Sequence, residues 1–131
     1  MHSRKAAHAL VACASILLCL PLTAGCGHNA RSLKLDKETA RQSLSAFLDC
    51  WKSGGEPGAL KSRSPAIIGR DTDWDNGKKL VQFTLGAETD DGTNMHITTE
   101  LVLATQRGEA PKKTVEYIVG TSPAITVFRN E

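Results

Sequence analysis

The stretch Lys79–Thr105, KLVQFTLGAETDDGTNMHITTELVLAT, decides the reading of the fold. Lys79–Ala87 alternates, with Val81, Phe83 and Leu85 on one side. Asn94–Thr105 alternates again, with Met95, Ile97, Leu101 and Leu103 together. Successive side chains of a strand point to opposite faces, so this pattern predicts two strands, each with one face toward a core. Between them Asp90-Asp91-Gly92 forms a hairpin turn, because glycine supplies the positive φ that tight turns need.

Downstream, Gln106–Lys113 is a polar loop with Gly108 and Pro111. Thr114–Gly120 places Val115, Tyr117 and Val119 together, Thr121-Ser122-Pro123 turns the chain, and Ala124–Arg129 is a last strand with Ile125 and Val127 on one side. Four strands joined by short connections predict an antiparallel meander.

Upstream, Asp36–Ser53 reads as a helix. Ala40, Leu44, Phe47, Leu48 and Trp51 recur at the helical period and form one apolar stripe. Gln42, Ser43, Ser45, Asp49 and Lys52 form the wet face. Asp36 caps the free amides at the start, and Gly54-Gly55 stop the helix. Between helix and strands, Pro57 opens a short helical turn through Leu60 and Lys61, and Pro65 ends it. Ala66-Ile67-Ile68 either packs on the helix or forms a brief strand, and Gly69–Gly77 is turn-rich and acidic.

The helix must bury its stripe and the sheet has one face to offer. The expectation is an α+β domain, residues 35–131, with a long N-terminal amphipathic helix packed on a curved four-stranded antiparallel sheet. This order of elements resembles the cystatin-like or nuclear-transport-factor-2-like architecture, and the resemblance implies a cone with a cavity at its open end. The stretches Phe47–Lys52, Asp73–Leu80 and Tyr117–Pro123 are similar to small uncharacterised bacterial lipoproteins. Such an architecture carries enzymes and binding modules alike, so fold alone leaves function open.

The first residues say where the protein resides. Arg4 and Lys5 precede an apolar run, Ala9–Leu20, which Pro21 closes. That order is a secretory signal, and the run is shorter than the roughly 20 residues a membrane span needs. Leu22-Thr23-Ala24-Gly25-Cys26 resembles the lipobox of bacterial lipoprotein precursors. The resemblance implies cleavage between Gly25 and Cys26, a diacylglyceryl group on the Cys26 thiol and an acylated (palmitate-type) amino end. The expected organisation is a signal peptide at 1–25, the lipidated cysteine and a tether at 26–34, and then the domain. By the same resemblance the protein is anchored to a bacterial membrane and faces the periplasm or exterior. Gly27, rather than Asp, follows the cysteine, and by proteobacterial sorting rules permits outer-membrane delivery.

The whole sequence has 16 Lys+Arg against 14 Asp+Glu, and the excess lies in Arg4 and Lys5. The mature chain is thus formally neutral, which gives no electrostatic reason to expect nucleic acid as a partner. Cys13 and Cys19 leave with the signal and Cys26 takes lipid, so Cys50 is the remaining thiol and no internal disulfide forms.

Candidate sites each compete with a plainer role. Asp71, Asp73 and Asp75 alternate as calcium-loop ligands do, but Asn76 stands where the tight-turn glycine belongs and Gln82 where a bidentate glutamate is expected. A solvated turn is the favoured reading, with no metal and no cofactor beyond the covalent lipid. His96 lies on the same side of its strand as Thr98 and Glu100, a pairing suited to acid–base work, but a surface histidine on a half-wet strand is the favoured reading. His28 belongs to the tether. Cys50 has no base beside it in sequence and reads as a small residue at the rim of the stripe. Trp51, Trp74, His96 and Tyr117 are the candidates to line a small-molecule pocket, but that the aromatic rings fill the core is the favoured reading.

The expected function is a lipid-anchored envelope protein that binds a partner protein or small ligand without catalysis. Two alternatives are a small pocket hydrolase or isomerase using His96 and a carboxylate, and a structural subunit of an envelope assembly.

Overall fold

The computed structural model describes residues 34–131. The expected signal segment, the expected cleavage and lipidation at Gly25–Cys26, and His28 lie outside the described residues.

Helix α1 spans Lys37–Lys52. Asp36 caps it, its carboxylate accepting from the Thr39 N–H at 3.0 Å. At the other end Gly54, at φ 81°, follows Ser53. Its N–H bonds the Trp51 carbonyl while the Gly55 N–H reaches back to Cys50, the paired bonds of a glycine-terminated helix. A 3-10 turn follows at Ala59–Ser62. Strand β1 is Ile67–Arg70, and a one-turn helix α2 is Thr72–Asp75. Then come β2 (Leu80–Asp90), β3 (Asn94–Thr105), β4 (Gly108–Glu109), β5 (Lys113–Gly120) and β6 (Ile125–Asn130).

The strands form one six-stranded sheet in the order β1-β6-β5-β3-β2, with β4 paired to β3. All pairings are antiparallel except β1 with β6, which is parallel and sets Ile67 beside Ile125. The expected four-stranded antiparallel cone beneath a long helix is therefore wrong. The sheet is mixed and six-stranded, and the helix has 16 residues. The reason is the range of the missing interactions. Ile67–Arg70 becomes a strand only by pairing with a segment far along the chain, which a local pattern does not show. β4 is two residues within the stretch expected to be loop.

Two register shifts in β2 correct the inward set as well. One lies between Leu80 and Gln82, so Leu80 rather than Val81 enters the core. The other lies between Leu85 and Glu88 and takes in Gly86. After it Glu88 lies opposite Ile97 and meets Arg41 of α1 at 2.7 Å. An extra residue in one strand of a pair bends it and strengthens its twist.

The core lies between α1 and one sheet face. The helix buries Ala40, Leu44, Phe47, Leu48 and Trp51, as its stripe predicts, and also Ser43, which the periodicity places on the wet side. The sheet contributes Met95, Ile97, Leu101, Val115, Tyr117, Val119 and Val127. Burying side chains of this kind contributes about 1.5–3 kcal/mol each. Gly69 admits the Phe47 ring over β1, since a Cβ there would lie 2.3 Å from that ring.

Candidate functional site

The buried charge of the domain collects where α2, β5 and β6 meet. Asp71 opens α2: its Oδ1 accepts from the N–H groups of Asp73 and Trp74 at 2.8 and 3.1 Å. Its Oδ2 accepts from the Tyr117 hydroxyl at 2.6 Å. Both residues are sealed, Asp71 at 1% and Tyr117 at 0% exposure. Burial, and then the Asp71 carboxylate, push the Tyr117 phenol far above its usual value, so it stays a hydrogen-bond donor.

Asp73, also buried, gathers three cations. Lys78 Nζ is 2.6 Å from Oδ1, Arg129 Nη1 2.6 Å from Oδ2, and Lys113 Nζ 3.0 Å from Oδ2. Burial alone would raise this carboxyl, but hydrogen bonds from Lys78, Arg129 and Lys113 outweigh it and hold the group below the usual carboxylate range. Arg129 also lies 3.7 Å from Asp71 Oδ2. Asp75 turns away to Arg70 Nε at 2.6 Å. The three alternate carboxylates thus serve as a helix cap, a cation hub and a surface partner, and do not converge on one ion. Among the described residues no set of three His, Cys, Asp or Glu side chains is placed to hold a metal.

The proposed pocket residues divide between the two faces of the sheet. Trp51 and Trp74 stack with centroids 5.7 Å apart, and Phe47 meets Trp74 and Tyr117 edge-on at 5.1 and 6.3 Å. The Trp51 indole N–H donates to the Lys78 carbonyl at 2.8 Å and that of Trp74 to the Gly55 carbonyl at 3.1 Å. These four rings belong to the core. A hollow of about 370 Å³ lies beside the two tryptophans, rimmed by Gly54–Pro57, Asp75 and Gly77–Lys79, and Tyr117 does not reach it.

His96 is on the other face. Its ring contacts neither Glu100, Asp73 nor Asp75: Nδ1 lies 3.1 Å from Glu116 Oε1 and Nε2 3.1 Å from Asp91 Oδ2. Glu100 is held instead by Lys112 at 2.9 Å. On the same face, Phe128 of β6 lies directly opposite Ile118 of β5, and Phe128 and Ile68 are 44% and 42% exposed.

Compared with protein-family models, curated proteins and solved structures, the chain matches none.

Cys50 is a free, half-buried thiol at the rim of the stripe, beside Gly55. It lines an open groove of about 840 Å³ together with Ala46, Leu60 and Arg63. No helix among the described residues is long and apolar enough to cross a membrane. Lys78, Lys113, Arg129 and Glu116, and Asp91 as a partner of His96, are polar residues that the sequence does not assign to a site. A signal for Arg129 was present: it continues the inward phase of Ile125 and Val127, and a guanidinium on a core-facing position needs a carboxylate.

Proposed function

We propose that this chain is a lipid-anchored protein of the bacterial cell envelope, held by acyl chains on Cys26, whose domain acts by binding an envelope protein or small ligand. The anchor rests on one observation, the sequence Leu22-Thr23-Ala24-Gly25-Cys26 behind a basic and then apolar start. One acyl chain holds a protein marginally and two or more hold it firmly, at about 0.8 kcal/mol per buried CH₂. Eight residues, Gly27–Lys34, separate Cys26 from the domain, and a chain of that length spans at most about 29 Å even when fully extended. The domain therefore works close to the bilayer.

Binding rather than chemistry is supported by how the candidate groups are spent. Both ring nitrogens of His96 face carboxylates, Tyr117 and Asp71 bond each other out of reach of solvent, and Asp73 is saturated by three cations. A general base needs a free lone pair within reach of its substrate. The test is fractionation of the wild type and Cys26→Ser. The wild type should enter the detergent phase and Cys26→Ser should stay aqueous or uncleaved. A Cys26→Ser chain that partitions into detergent at normal mature mass would overturn the anchor. Native membranes solubilised in mild detergent should yield a co-purifying partner or ligand with the wild type. Turnover of an ester or isomerisable substrate that Glu116→Gln abolishes would overturn the binding reading.

A further inference from the structure

The His96 ring links two residues that no backbone pairing sets together, Asp91 of the β2–β3 turn and Glu116 of β5. Its two ring nitrogens face two carboxylates, Glu116 of β5 and Asp91 of the β2–β3 turn, each at 3.1 Å. A neutral imidazole has one N–H and one lone pair, so only the imidazolium donates to both. With a neutral ring, one carboxylate faces a lone pair at that distance.

Both carboxylates are fixed by other bonds. Asp91 Oδ1 accepts from the N–H groups of Thr93 and Asn94 at 2.8 and 2.7 Å and closes the turn. Glu116 Oε1 also accepts from Asn130 Nδ2 of β6 at 2.7 Å. The neighbouring Asp90 reaches Lys37, the first residue of α1, at 2.5 Å. Beside Lys37, the Asp36 N–H bonds Thr121 Oγ1 at 3.0 Å. The turn that His96 holds is thus tied to the end of the domain where the segment leading from Cys26 enters.

The other groups around the ring do not compete. Thr89 of β2 and Ile118 of β5 lie directly opposite His96 and carry no charge. Asn130 of β6 is neutral, and Glu100, farther along β3, is taken by Lys112. Among the described residues no Lys or Arg forms an ion pair with Asp91 or Glu116.

We propose that His96 is a proton-operated clasp: as the imidazolium it staples the Asp90–Asn94 turn to β5 and β6, and as the neutral ring it lets the turn go. The hydrogen bonds that the ring donates to Glu116 and Asp91 raise its pKa above the ordinary histidine value. A group whose folded pKa is raised stabilises fully below its unfolded value, about 6.5, and loses that contribution as pH rises through the folded value. The clasp is therefore closed in mild acid and opens on the alkaline side.

The test is a proton NMR titration of the full chain in detergent, with the His96 ring resonance assigned by its loss in His96→Gln. The midpoint should lie above about 6.5 and should fall in both Asp91→Asn and Glu116→Gln. Across that midpoint the exchange protection factors of the Asp91, Thr93 and Asn94 amides should drop several-fold in the wild type. In His96→Gln they should be low and flat. A midpoint at or below the ordinary value, or protection that follows the same course in wild type and His96→Gln, would overturn the clasp.

Discussion

The Tyr117 hydroxyl donates to Asp71 Oδ2 at 2.6 Å inside the core, joining the middle of β5 to the cap of α2. Both groups are sealed from water, and Asp71 in turn holds the α2 amides. Removing the hydroxyl strips a buried carboxylate of a charge-assisted bond. Tyr117→Phe should therefore lower stability by about 1.5–3 kcal/mol in urea unfolding, the range for hydrogen bonds to charged groups. A change within about 0.5 kcal/mol would mean that the bond contributes nothing net.

Asp73→Asn should destabilise the domain at pH 7 by about 3 kcal/mol, because it takes from the buried Arg129 the nearer of its two carboxylates and leaves Asp71 at 3.7 Å. The half-exposed Lys78 and Lys113 relax into water and contribute less. The effect should depend on pH. A depressed folded pKa gives stability that is present above the unfolded value, about 3.9, and lost as pH falls through the folded one. The gap between wild type and Asp73→Asn should thus narrow below about pH 4. Urea midpoints from pH 3 to 7 check this, and a gap independent of pH would remove Asp73 as the charge hub.

Trp51→Ala should cost about 3–5 kcal/mol, as for other large buried aromatics. Its ring stacks on Trp74 and its N–H bonds the Lys78 carbonyl, so one truncation loosens the joint between α1 and the start of β2. Gln42→Ala, exposed on the opposite side of α1, should stay within about ±0.5 kcal/mol. Equal small effects at both positions would place the helix in another register.

Gly69→Ala should destabilise by about 1–3 kcal/mol, the usual cost of overpacking, because the added carbon lands on the Phe47 ring. Gly69→Ala combined with Phe47→Leu should recover part of that loss. Non-additivity between the two, measured by thermal unfolding, is the expected sign of their contact.

The parts of this fold that were legible in the sequence are those set by local periodicity. The stripe Ala40-Leu44-Phe47-Leu48-Trp51 and the alternations of β3, β5 and β6 each repeat within a few residues, and all take their expected sides. What was not legible depends on partners far along the chain. Ile67–Arg70 needs β6 to become a strand, and the bulge that turns Leu80 inward exists only against β3. The same applies to the candidate site. The spacing of Asp71, Asp73 and Asp75 favours a solvated turn over a shared ion, but Asp71 and Asp73 are buried, and α2 aims the three at Tyr117, at a cation cluster and at Arg70. His96 was read beside Glu100 on its own strand, whereas its partners come from the adjacent strand and the turn.

The central claim, that Cys26 carries the lipid that holds this domain at the envelope, is tested most directly by intact and peptide mass spectrometry of the chain isolated from its native membrane. Anchoring predicts an amino terminus at Cys26, with a diacylglyceryl group on its thiol and a mass increment confined to the first peptide. A chain that begins elsewhere, or one with Cys26 present as a free thiol, would contradict it.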